Sequence, residues 1–91
     1  NLGSAYAALG DARKAIDYYE QALVIAREIG DRRGEAIASW NLGLEYEKAK
    51  DLKRAAEVMQ ICVDFEKEIG HPDAEKDADY LEGVRNRIKQ N

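Results

Sequence analysis

At 91 residues, 45% of them hydrophobic and 35% charged, the chain suits one small ordered domain and excludes a disordered tail. Its formal net charge of −4 is carried by intermixed acidic and basic residues, leaving no basic stripe for nucleic acid. The lone Cys62 excludes an internal disulfide, and no apolar run approaches the ~20 residues needed to cross a bilayer. No membrane or nucleic-acid partner is therefore expected, and the chain reads as cytoplasmic. It opens without Met, inside a helical pattern, and reads as a piece of a longer protein.

Thr is absent and Val scarce, while Ala, Glu, Lys, Leu, Ile and Arg dominate. That mix favours helix, because β-branched side chains lose rotamer freedom against the preceding turn. Taken in order, the pattern predicts five helices, at 1–9, 12–29, 32–49, 52–69 and 73 to about 89. The second carries Ala15, Ile16, Tyr19, Ala22, Leu23, Ala26 and Ile29 on one face, and the fourth matches it with Ala55, Ala56, Met59, Cys62, Val63 and Ile69. Breakers separate the helices: Gly10-Asp11, Gly30-Asp31, Lys50-Asp51 and Gly70-His71-Pro72. Glycine past a helix end adopts the left-handed closing conformation, Asp caps the next helix, and Pro suits a first turn.

The chain also repeats itself at an offset of about forty residues without a gap. Asn1, Leu2, Gly3, Tyr6, Asp11 and Ala15 recur as Asn41, Leu42, Gly43, Tyr46, Asp51 and Ala55. Glu28-Ile29-Gly30 recurs as Glu68-Ile69-Gly70. Gly3 and Gly43 fall inside helices, where each costs about 0.8–1 kcal/mol relative to Ala, so close helix contact is the expected compensation.

Leu-Gly-x-x-Tyr in one helix and Ala-x-x-x-Tyr-x-x-Ala in the next resemble the tetratricopeptide repeat. Unit one supplies Leu2, Gly3, Tyr6, Ala15, Tyr19 and Ala22; unit two supplies Leu42, Gly43, Tyr46, Ala55, Met59 and Cys62. The period exceeds the usual ~34 residues. It looks like the long-repeat subgroup of kinesin light chains, polarity adaptors and bacterial and archaeal multi-repeat proteins. The resemblance implies an all-α solenoid of antiparallel helix pairs in one domain: repeat one at 1–31, repeat two at 32–71, and a capping helix at 72–91. The pattern departs at Ser39, where a large aromatic is usual, with Trp40 one position on.

The resemblance further implies that the first helices of successive units line a concave groove for a peptide or helix. Carried over, the groove positions are Ser4, Ala7 and Ala8, then Ile37, Trp40, Asn41, Leu44, Glu47 and Lys48, then Asp77, Tyr80, Val84, Arg87 and Ile88. Of these, Ile37, Trp40, Asn41, Leu44, Lys48, Tyr80, Val84 and Arg87 are the candidate peptide-binding residues. Two readings of Trp40 stand: an interface anchor, or a side chain swung inward to fill the space left by Ser39. Asn41 could clamp a peptide backbone or bond a neighbouring helix.

His71 reads as a surface turn residue, and Cys62 as a small buried hydrophobe in place of Ala22. No Gly-rich phosphate loop, nucleophile–base–acid set or clustered metal ligands is visible, so no catalytic site, metal or cofactor is expected. The expected function is a non-catalytic scaffold for a protein or peptide partner. The alternative is self-association through an uncovered first repeat, at Leu2, Ala5 and Leu9, by end-to-end stacking or helix exchange.

Overall fold

A computed structural model describes residues 11–90. Among them are four helices and no strand: α1 (Ala12–Ile29), α2 (Arg32–Lys48), α3 (Leu52–Ile69) and α4 (Ala74–Gln90). The helix expected at 1–9, with its motif residues and groove positions, lies outside the described residues. The other expected boundaries agree to within one residue.

The breakers act as their chemistry dictates. Asp11, Asp31 and Asp51 each accept a hydrogen bond from the backbone N–H three residues on, at 3.1, 2.8 and 3.2 Å, satisfying a donor that the first turn leaves free. Gly30 and Gly70 take left-handed φ of 73° and 68°, and the N–H groups of Asp31 and His71 turn back to the Ala26 and Glu66 carbonyls. The α2 end uses the same geometry with Lys50 at φ 65°, and Asp51 N–H returns to the Tyr46 carbonyl at 2.9 Å. A lysine there carries the steric cost that glycine avoids.

Each helix packs against the next in the chain. Cross-helix pairs give the directions. Arg27 at the end of α1 binds Glu35 at the start of α2, whereas mid-α1 Glu20 accepts from Tyr46 near the α2 end, so α1 and α2 are antiparallel. Arg32 binds Glu68 across α2 and α3, and Gln60 accepts from Arg85 across α3 and α4, repeating the reversal. One continuous core runs through Ala15, Tyr19, Leu23, Leu42, Tyr46, Ala55, Met59, Val63, Leu81 and Val84.

Gly43 has the close contact its position predicts. A Cβ there would sit 2.6 Å from Met59 Cγ and 3.2 Å from the Ala55 carbonyl oxygen, so α2 and α3 approach too closely for alanine. Among the described residues, no helix is long and apolar enough to cross a membrane.

Candidate functional site

The antiparallel order leaves α2 and α4 side by side, pointing the same way, with α3 behind them. Residues separated by a full repeat meet across this face. Trp40 and Tyr80 stack at a tilt of 58° with ring centroids 5.7 Å apart. Glu47 accepts hydrogen bonds from Tyr80 Oη at 2.5 Å and from Arg87 Nη1 at 2.6 Å. Leu44, Glu45, Glu47, Lys48, Tyr80 and Arg87 line an open depression of about 380 Å³.

Helical spacing explains this face. Trp40, Leu44 and Glu47 lie along one stripe of α2, while Leu42 and Tyr46 lie along another and enter the core. Trp40 is half-buried, stacked on Tyr80 and packed against the edge of the core. Ser39, next to it in sequence, is fully buried. Tyr80 is 44% exposed, and its hydroxyl pKa is raised, first by donation to Glu47 and then by burial, so it serves as a neutral donor.

The candidate residues separate into three groups. Trp40, Leu44, Lys48, Tyr80 and Arg87 come together on the α2–α4 face, with half-buried Asn41 beside them; its amide hydrogen-bonds no other side chain among the described residues. Ile37, 56% exposed, lies toward the other end of α2, in a separate depression of about 240 Å³ with Arg33, Phe65, Ile69 and His71. Val84 is corrected: at 1% exposure it belongs to the core, because the α4 stripe bearing Leu81 is the one turned toward α3.

The cations on this face are already engaged. Arg87 binds Glu47, and Lys48 binds the buried Glu45 at 3.1 Å. An anionic ligand would have to compete with these carboxylates, which favours an apolar or hydrogen-bonding ligand. Glu47, read from sequence as a groove position, lines this depression and also joins α2 to α4. Its spacing from Arg87, one full repeat, was the available signal.

A second polar group was not legible. Cys62, Glu66 and Asp77 converge at the α3–α4 junction, with the His71 Nδ1 3.5 Å from Glu66 Oε2. Burial pushes the Cys62 thiol up to about 12, helped by the nearby Glu66 and Asp77 charges, so it is not a reactive thiol at neutral pH.

Comparison with known proteins agrees with this architecture. The tetratricopeptide repeat pattern matches residues 1–64. The chain belongs to the tetratricopeptide repeat family. Membership accords with the helical solenoid and with protein binding. The chain is 52% identical to human (Homo sapiens) G-protein-signaling modulator 1 over 42 residues, which is 46% of this chain and 6% of that protein. The mouse (Mus musculus) and rat (Rattus norvegicus) proteins of the same name are each 49% identical over 41 residues, 45% of this chain and 6% of theirs. The match thus spans a small fraction of those relatives. No solved structure matches the chain.

Proposed function

We propose that this chain is a non-catalytic segment of a cytoplasmic scaffold that holds a peptide or helix from a partner protein along the α2–α4 face. In this reading, 1–31 and 32–71 are two repeats of the long type and 72–91 is a capping helix. The observation that carries the proposal is the Trp40–Tyr80 pair beside Leu44. Trp40 and Leu44 are half-buried at the edge of the core and Tyr80 is exposed, so all three keep apolar surface open beyond their own packing. Burying aromatic anchors of this kind supplies most of the energy of many interfaces. Asn41, with its amide uncommitted, orients the ligand backbone. The likeness to G-protein-signaling modulators favours a partner drawn from a signalling assembly.

The test is a Trp40→Ala, Leu44→Ala double variant with helicity checked by circular dichroism. It is expected to lose partner capture by at least ~10-fold, the effect of removing two central anchors. Capture at the wild-type level by the folded variant would overturn the assignment. Self-association is the second reading, favoured by Val24, Ile25 and Ile29 standing exposed on α1. Light scattering over a concentration series decides it, since a strictly monomeric chain contradicts it.

A further inference from the structure

The α3–α4 junction gathers soft and hard ligand atoms without a cation to balance them. Cys62 and Glu66 are one turn apart on α3, so their side chains share a face, and Asp77 enters from the first turn of α4. The Cys62 Sγ, a Glu66 carboxylate oxygen and an Asp77 carboxylate oxygen all lie within 4.8 Å of one another. Glu66 is only 8% exposed, and its Oε1 has no hydrogen-bond partner among the described residues. A buried, unpartnered carboxylate is costly unless something positive faces it.

The surrounding groups do not supply that charge. Arg33 lines the same depression as Cys62, Glu66 and His71, but no Lys or Arg among the described residues forms an ion pair with Glu66 or Asp77. The His71 Nδ1 spends its lone pair accepting the Asp73 N–H at 3.0 Å, so it donates no proton to Glu66 Oε2, 3.5 Å away, and has no lone pair left for a ligand. Three ligand atoms, one thiol sulfur and two carboxylate oxygens, therefore converge.

We propose that Cys62, Glu66 and Asp77 bind a thiophilic divalent cation of the zinc class, the Cys62 thiol releasing its proton to solvent on binding and water completing the coordination. Thiolate and carboxylate are ligands such ions take at roughly 2.0–2.3 Å. Mg²⁺ and Ca²⁺ prefer all-oxygen sites and are excluded by the thiolate. The ion would tie the end of α3 to the start of α4, fixing how α4 lies beside α2. The competing account is that the two carboxyl groups share a proton and no metal binds.

Co²⁺ is the direct probe, because a cobalt–thiolate bond gives a charge-transfer band that carboxylates alone do not. The chain is expected to show this band and to give it up to Zn²⁺ but not to Mg²⁺. Cys62→Ala should abolish it, and this variant is expected to fold because Ala22 holds the corresponding place in α1. Glu66→Gln, which keeps the side-chain shape, should retain the band with affinity reduced at least ~10-fold. Zn²⁺ should raise the melting temperature of the wild type and not that of Cys62→Ala. Absence of the cobalt–thiolate band, or equal Zn²⁺ affinity in the wild type and both variants, would overturn the site.

Discussion

Gly43 and Gly83 are both helical glycines, yet their surroundings give them opposite roles. A methyl group at Gly43 would drive into the middle of the buried Met59 side chain with the Ala55 backbone behind it, whereas one at Gly83 meets nothing within 4 Å. Gly43→Ala gains about 1 kcal/mol of helix propensity but incurs an overpacking cost of about 1–3 kcal/mol, so a net loss of stability is expected. Gly83→Ala has only the gain, about 0.8–1 kcal/mol. Lys50, left-handed where unit one has Gly10, is a third such position. Replacing it with glycine should stabilise the chain by about 0.5–1 kcal/mol, since the strain relieved exceeds the added freedom of the unfolded chain. Urea unfolding of the three variants checks the signs together.

Ion pairs across neighbouring elements are the next level. Arg32 binds both oxygens of Glu68 at 2.7 and 2.5 Å, joining the start of α2 to the end of α3. The hydrogen bonds and charge of Arg32 hold the Glu68 carboxyl below its ordinary pKa. A carboxyl depressed on folding contributes stability above its unfolded pKa and loses it as pH falls through the folded value. The destabilisation caused by Arg32→Ala should therefore be present at neutral pH and vanish in acid, and because the pair is exposed it should also shrink in high salt. Thermal melts at three pH values and two salt concentrations test this.

The helix ends were legible in the sequence because Asp and Gly act locally, through their own side chain or backbone. The α2 stripe was legible for the same reason, as helical spacing alone separates Trp40 and Leu44 from Leu42 and Tyr46. Val84 was not placed correctly, because the rotation of α4 is set by its packing on α3, which no local pattern encodes. The junction of Cys62, Glu66 and Asp77 was hidden for a related reason: Asp77 reaches the other two only after the chain reverses at His71-Pro72. Ser39 signalled an irregularity but not its outcome, which is a buried hydroxyl without a hydrogen-bond partner among the described residues.

On the scale of the whole molecule, each described helix depends mainly on its sequence neighbours, the property that lets repeat units be stacked. Stacking consumes one stripe of each helix and leaves the α2–α4 face free to differ from one repeat protein to another. Trp40 stands on that face and is the chain's one tryptophan, so its emission reports on the surface directly. The decisive measurement is Trp40 fluorescence during titration with a tryptophan-free peptide mapped from a captured partner. Binding in the proposed groove predicts a blue shift that saturates with the binding isotherm and a Leu44→Ala variant that binds more weakly. An isotherm measured by calorimetry with no change in Trp40 emission would place the ligand elsewhere and contradict the account.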